Sequence, residues 1–199
     1  MVALRTDAEL DDYTYRVAGC VGEFWTHLCR AHLFPDAPMK DAELLAEAVR
    51  FGKGLQLVNV LRDLPRDLQQ GRCYLPADRL AAADLKPADL LNPVNEPKLR
   101  PLYDEYLLLA HAHLAAGWEY TNRLPRSCVR VRLACAWPVL IGVRTLAQLR
   151  TSAVLDAAQR VKVSRAAVRG VILRSVLLHP WPGAWRKLFQ RAGAGIAVR

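Results

Sequence analysis

The segment formed by residues 54–76, GLQLVNVLRDLPRDLQQGRCYLP, decides which fold and which site we expect. Asn59, Asp63 and Asp67 recur every four residues, and a helix of about 3.6 residues per turn places them on one face. Gln56 lies three residues before Asn59 and joins that face. Carboxylates on an otherwise apolar helix are costly to bury without a counter-charge. The pattern therefore predicts a site for a hard divalent cation such as Mg²⁺, which binds carboxylate and phosphate oxygens.

An alternative stays open for this stripe, because acids four residues apart commonly form a solvated helix face. Pro65 lies between the two acids, lacks a backbone donor and should bend or end the helix there. Such a bend suits a binding site better than a plain surface helix. Arg62, Arg66 and Arg72 could then bind phosphate oxygens that a metal ion does not reach.

The composition indicates an ordinary globular protein. The chain has 199 residues, of which 52% are hydrophobic, and this predicts a single domain over residues 1–199. Its five cysteines form no C-x-x-C pair, which argues against a disulfide framework and against a zinc site. Reduced thiols are typical of the cytosol. Residues 1–12 lack the apolar core of a signal peptide, so we expect a cytoplasmic protein.

Charge is distributed unevenly along the chain. Residues 1–120 carry 13 Lys/Arg and 18 Asp/Glu, whereas residues 121–199 carry 15 Lys/Arg and one acid, Asp156. A basic half of this kind favours an anionic partner, which could be a phosphate-bearing substrate, an anionic membrane or a nucleic acid. The arginines are not interleaved with stacking aromatic residues and no nucleic-acid motif occurs, so nucleic acid ranks last and we expect none.

Helical periodicity dominates the rest of the chain, and no alternating strand pattern of useful length occurs. We therefore expect an all-α fold, a compact helical bundle around an apolar cavity. Residues 84–101 contain four prolines and are expected to form an irregular connector. The expected helices are residues 11–33, 41–71, 78–83, 102–123, 127–150, 152–160 and 164–178.

The first of these helices has two features of interest. Gly19 and Gly22 leave room either for a neighbouring backbone or for a long ligand. The sequence does not distinguish the two. The residues that form an apolar face at helical spacing are Val17, Val21, Phe24 and Leu28.

The C-terminal region combines Trp181 and Trp185 with Arg186 and Lys187. This mixture suits a membrane interface, and a terminal helix that docks on the bundle explains it equally well. The apolar run at residues 133–143 is too short to cross a bilayer. The glycines near the end of the chain follow no strand, so we do not interpret them as a nucleotide-binding loop.

Two segments resemble the squalene/phytoene synthases, the head-to-head prenyl transferases. Residues 56–76, QLVNVLRDLPRDLQQGRCYLP, are similar to the second aspartate-rich motif of that family. Residues 12–22, DYTYRVAGCVG, resemble its Y-x-Y-x-V-A-G-x-V-G signature. The resemblance covers residues 12–80 well and the rest weakly.

The resemblance implies an isoprenoid synthase fold and the joining of two prenyl diphosphates, most simply farnesyl diphosphate, with Mg²⁺-assisted loss of diphosphate. The segments AGCVGEFW and VKVSR favour a squalene-type product, which would add NADPH as a reductant, over a phytoene-type product. Contact with the inner face of a membrane through the basic half is a further expectation. By motif position, the implied metal ligands are Asn59, Asp63 and Asp67, the implied substrate-binding residues are Gln56, Arg62 and Arg72, and the implied catalytic residues are Tyr13, Asp63 and Asp67.

The chain departs from the family pattern at its beginning. Members carry a first aspartate-rich motif well upstream of the tyrosine motif, and the residues before Asp12 do not reproduce it. We therefore expect a chain that corresponds to the C-terminal two-thirds of a synthase, without the N-terminal helices. A non-catalytic remnant that binds isoprenoid or membrane is the alternative function.

Overall fold

The computed structural model describes residues 1–194, and within them the fold is all-α, as predicted. The only strands in that range are β1 (Val2–Ala3) and β2 (Arg72–Cys73), which pair in parallel. This pairing holds the start of the chain beside the loop that follows the acidic stripe. The helices are α1 (Asp7–Thr14), α2 (Cys20–His32), α3 (Asp41–Arg62), α4 (Leu64–Gln69), α5 (Ala77–Ala82), α6 (Glu96–Arg123), α7 (Val129–Leu149), α8 (Arg165–Leu178) and α9 (Pro182–Ala192).

The first expected helix begins earlier than predicted and has an irregular centre. Thr6, and not an aspartate, caps α1, because its hydroxyl accepts a hydrogen bond from the backbone N–H of Glu9 at 3.3 Å. Between α1 and α2 the residues Tyr15–Gly19 form a π-helical turn. Such turns are rare and occur frequently at functional sites, and this one lies inside the tyrosine motif.

The second expected helix is interrupted between its two acids, as the proline predicted. α3 ends at Arg62 and α4 begins at Leu64, with Pro65 in its first turn. Asp63 stands at the break with φ of −95° and ψ of 7°. Gly71 follows α4 with φ of +77°, a left-handed conformation that glycine adopts without strain.

Two predictions around the connector are wrong. Residues 152–160 form turns instead of a helix, because the backbone N–H groups of Val154 and Leu155 donate to the Glu96 carboxylate at 3.0 and 3.2 Å. The helix expected from residue 102 already begins at Glu96, since Pro97 lies in its first turn, where a missing N–H is harmless. The connector itself forms two 3₁₀ turns, Pro87–Leu91 and Pro93–Asn95.

The centre of the bundle is α3, which packs against α6 on one side and against α1 and α2 on the other. Glycines make the second contact close. A Cβ atom on Gly22 would lie 2.2 Å from the carbonyl oxygen of Ala48, and one on Gly52 would lie 2.1 Å from that of Ala18. The backbones of the first helical segment and of α3 therefore touch. Gly22 makes room for a neighbouring backbone, which is the first of the two alternatives that the sequence left open.

The apolar face of the first helix does not enter the core. Thr26 and Cys29 take the buried positions of α2, because they lie on its α3 side near Gly22. Phe24 is 66% exposed, and this part of the surface is markedly apolar. The other members of that face, Val17, Val21 and Leu28, are exposed as well.

The last helix docks on the bundle. Trp185 is 1% exposed and stacks on Trp118 of α6 with ring centroids 5.4 Å apart, whereas Trp181 remains 61% exposed. None of the described helices is long and apolar enough to span a bilayer. The glycine-rich end considered above runs into residues 195–199, which lie outside the described residues.

Candidate active site

An apolar cavity of about 400 Å³ lies between α2, α3, α6 and α7. Its size falls within the range of about 300–1,000 Å³ that is typical of ligand pockets. The cavity predicted from the sequence is therefore present, and its wall includes the exposed Val17 of the π-helical turn and Val21 of α2. Lining residues from the four helices include Trp25, Phe51, Leu55, Tyr120 and Ala134.

One end of this cavity leads to polar side chains. A helix rises about 1.5 Å per residue, so Asn59 stands about 6 Å beyond Leu55 along α3. Because α1 runs antiparallel to α3, Tyr13 arrives beside Gln56, whose Nε2 donates to the Tyr13 hydroxyl at 3.3 Å. The groove is therefore amphiphilic, with an apolar body and a polar end.

Tyr13 is held at this polar end by a second aromatic ring. Its ring stacks on that of Tyr74 with centroids 4.8 Å apart. Burial, together with the neighbouring Tyr74, raises the pKa of Tyr13 to about 12. The phenol is therefore neutral near pH 7 and can donate or accept a hydrogen bond. No role was predicted for Tyr74 from the sequence. Its position within the aspartate-rich segment, residues 56–76, could have identified it as a candidate.

Asp67 lies on the Tyr13 side of the break. Within residues 1–194 no side chain or backbone donor bonds to its carboxylate, and Arg72 supplies a more distant positive charge. Burial raises the pKa of Asp67, and the negative charge of Asp63 adds to the shift. Asp67 is thus a half-buried acid whose oxygens are free to bind a cation.

Asp63 has a different environment. It pairs with Arg62, whose Nε lies 3.0 Å from Oδ1, and this hydrogen bond lowers the pKa of Asp63. Arg160 and Arg66 reinforce the shift. These four residues line a polar cavity of about 380 Å³. The role of Arg160 was missed because the sequence placed it in a helix, and nothing local indicates that its loop folds back to Asp63.

The donor set of the stripe fits a hard divalent cation in part. Asn59 is exposed and its amide has no internal partner among residues 1–194, so Asn59 and Asp67 both offer free oxygens. The described residues contain no group of three or more His, Cys, Asp or Glu side chains placed to hold a metal. Mg²⁺ accepts one or two carboxylates with water and phosphate oxygens as further ligands. Asn59 and Asp67 supply oxygen atoms of this kind, and they do not form a complete ligand set among residues 1–194.

The structure thus divides the predicted site residues into two groups. Tyr13, Gln56 and Asp67 share the polar end of the groove. Arg62 and Asp63 face the arginine-rich cavity. Arg72 lies exposed on the Asp67 side. Their roles in binding and catalysis stay predictions.

The chain is similar to known proteins of one family. The family model for squalene/phytoene synthase matches residues 2–167. A 15-cis-phytoene synthase of Synechocystis sp. is 39% identical over 105 residues, which are 49% of this chain and 30% of that protein. A presqualene diphosphate synthase of Zymomonas mobilis is 32% identical over 120 residues, which are 60% of this chain and 38% of that protein.

A solved structure extends the comparison over the whole bundle. The complex of TcSQS with the ligand BPH1237 superposes on 99% of this chain with a TM-score of 0.76 and 19% sequence identity. The match covers 64% of that chain, and the chain spans only 30% and 38% of the length of the two relatives above. Since the family model spans most of the sequence, the chain belongs to the squalene/phytoene synthase family.

Proposed function

We propose that this chain forms one half of the active site of a Mg²⁺-dependent, head-to-head prenyl transferase acting on farnesyl diphosphate. The family is one of prenyl transferases that condense prenyl diphosphates head to head. The observation that carries the proposal is the apolar cavity along α3, because it ends at Leu55 and the polar residues Gln56 and Asn59 follow directly on the same helix. A prenyl diphosphate has the same polarity, with an apolar chain and an anionic head.

Each part of the groove has a separate task in the proposal. The cavity beside Leu55 holds the prenyl chain and excludes water from it. Arg62 and Arg160 bind diphosphate oxygens, for which their planar guanidinium groups are suited. The neutral hydroxyl of Tyr13 lies where the chain ends and the head begins, so it positions the reacting carbon. When bound at Asn59, Asp63 and Asp67, Mg²⁺ stabilises the leaving diphosphate electrostatically.

The product is the finer part of the proposal. The relatives include phytoene synthases and a presqualene diphosphate synthase, and we propose presqualene diphosphate, which forms without a reductant, in line with the squalene-like segments. Squalene would in addition require a hydride from NADPH. NADPH has no support in these relatives or in the described residues. We also propose a cytoplasmic location, because all five cysteines are free.

A specific observation favours a second candidate, a non-catalytic protein that binds an isoprenoid. The cavity wall exposes Val17 and Val21, and the described residues contain no group of three or more His, Cys, Asp or Glu side chains placed to hold a metal. Such a chain would bind the apolar tail without releasing diphosphate.

One experiment separates the candidates. Labelled farnesyl diphosphate is incubated with the chain and Mg²⁺, with and without NADPH, and the products are separated. An upstream-extended version serves as a second sample. We expect turnover by at least one of the two samples. Asp67→Ala and Asp63→Ala should each abolish this turnover. Asp36→Ala, which changes an exposed acid outside the site, should keep it.

Other outcomes are equally informative. Mg²⁺-dependent binding of an uncleavable diphosphate analogue by the 199-residue chain, with turnover only in the extended version, supports the half-site. Binding without turnover in either version supports the second candidate. Wild-type turnover in the Asp67→Ala variant contradicts the proposed metal site.

A further inference from the structure

The outer surface of α8 is apolar, although the helix lies at the edge of the bundle. Leu173 and Leu177 are 60% and 57% exposed, and Val176 and Trp181 are exposed as well. We call these four residues the α8 face. Leu173, Val176 and Leu177 are three and four residues apart, so they share one side of the helix. The opposite side packs on α7 and α9 through Val171 and Ser175.

Basic side chains surround this face without acidic partners. Residues 157–199 contain no Asp or Glu. Within the described part of that range, none of the basic residues of α8 or α9 forms an ion pair, so their charge is available to an external anion. The exposed basic residues on the two helices are Arg165, Arg169, Arg174, Arg186, Lys187 and Arg191.

Three arginines line a cavity on the inner side of α8. This cavity of about 150 Å³ lies between α7, α8 and α9 and is lined by Arg144, Arg174 and Arg191. Three guanidinium groups around one cavity, with no carboxylate in its lining, suit a phosphate group. A Cβ on Gly170, which also lines this cavity, would meet nothing within 4 Å, so the approach to it is open.

These observations fit an occupant that is apolar inside and anionic at its surface. We propose that the α8 face docks on an anionic phospholipid bilayer, with Leu173, Leu177 and Trp181 entering the interfacial region and the flanking arginines contacting lipid phosphates. An amphipathic helix with arginines beside an apolar stripe binds a bilayer in this way. Tryptophan prefers the same depth, because its ring is apolar and its N–H is polar. A protein partner would need acids opposite each arginine, whereas a bilayer supplies phosphates at every position.

Vesicle binding tests the proposal with the chain as it exists. The protein is sedimented with vesicles of phosphatidylcholine alone or of phosphatidylcholine with a minority of phosphatidylglycerol. We expect binding to the anionic vesicles, weakened by salt, and much weaker binding to the neutral ones. Equal binding to both vesicle types would overturn the role of the arginines.

Substitutions locate the contact. Leu173→Ser with Leu177→Ser should weaken binding at least about tenfold, since two leucines no longer leave water. Arg169→Gln with Arg174→Gln should weaken it about 25-fold, at roughly fivefold per charge near an anionic surface. Leu91→Ser with Val94→Ser, two exposed apolar residues of the connector, and Lys86→Gln with Lys98→Gln are the matched controls. Circular dichroism confirms that each variant is folded.

Three results would contradict the proposal. The controls could lose as much binding as the α8 variants. Quenching of tryptophan fluorescence by acyl-chain-brominated lipid could persist in Trp181→Phe. Sedimentation equilibrium could show a dimer that Leu173→Ser with Leu177→Ser dissociates, which would assign the face to a second copy. Vesicle binding requires no turnover, so it tests this surface independently of the proposed reaction.

Discussion

Asp63 and Asp67 stand one helical turn apart and have opposite environments. Asp63 is neutralised by Arg62 in an arginine-rich cavity, and the pKa of its carboxyl is lowered. The Asp67 carboxylate accepts no hydrogen bond from residues 1–194, and burial raises its pKa. The same four-residue spacing therefore connects two carboxylates whose environments differ.

This difference indicates that the two sides of the helix break suit different parts of a metal-bound diphosphate. The Asp63 side offers positive charge and suits diphosphate oxygens, whereas the Asp67 side offers an uncompensated negative charge and suits a cation. For Asp63 to bind the same cation, Arg62 must turn from the carboxylate towards the diphosphate. Under the proposed function, the Arg62–Asp63 pair would therefore have to open before both acids could hold one cation.

The largest effect expected from this comparison concerns the metal. Asp67→Ala should lower the Mg²⁺-dependent affinity for an uncleavable diphosphate analogue by at least about 100-fold, since even outer-shell partners of metal ligands contribute 10–100-fold. Titration calorimetry with and without Mg²⁺ measures it. Asp36→Ala should be unchanged. A loss of less than threefold would remove Asp67 from the metal site.

Substitution of Arg62 should act in two directions. Arg62→Ala frees Asp63, so the affinity for Mg²⁺ alone should rise, while the affinity for the diphosphate analogue should fall by at least about tenfold through loss of a charged hydrogen bond. Arg160→Gln should lower the analogue affinity by about fivefold, as for an exposed charge, and leave Mg²⁺ alone unaffected. Calorimetry at two salt concentrations separates these effects. If Arg62→Ala weakens Mg²⁺ binding as well, the assignment of the Asp63 side to diphosphate and of the Asp67 side to the cation is wrong.

The smallest expected effect is on stability and its pH dependence. The folded-state pKa of Asp67 is raised, so its contribution is favourable below the unfolded pKa of about 3.9 and is lost as pH rises through the folded pKa. Asp67→Asn should therefore be more stable than the wild type at pH 7, by about 0.5 kcal/mol after solvent screening, with the difference vanishing in acid.

Asp63 should show the reverse sign. Its folded-state pKa is lowered, so its contribution is present above the unfolded pKa and is lost as pH falls through the folded pKa. Asp63→Asn should be less stable than the wild type at pH 7 by about 0.5–1 kcal/mol. Urea unfolding at pH 7 and at pH 4 without Mg²⁺ checks both variants. Shifts of the same sign would mean that the two environments do not differ as described.

Much of this architecture could be predicted locally. The break between Asp63 and Asp67 was predictable because Pro65 acts on its own backbone. The helix at residues 152–160 was predicted wrongly because the Glu96 carboxylate, far away in the chain, takes the N–H groups of Val154 and Leu155. The apolar face that contains Phe24 has the predicted helical spacing, but it is exposed. Periodicity shows which residues share a face and does not show whether another helix packs on that face.

The amino-acid sequence by itself determined the all-α class, the break between Asp63 and Asp67, and the resemblance to the family to which the chain belongs. These properties follow from helical spacing and from residue types, which act within a few residues. Only the tertiary structure decided that Tyr74 stacks on Tyr13, that Arg160 lines the same cavity as Asp63 and that the Asp67 carboxylate has no hydrogen-bond donor among residues 1–194. Burial and charge pairing depend on segments that are far apart in the sequence and come into contact only when the chain folds. A local sequence pattern does not predict these contacts.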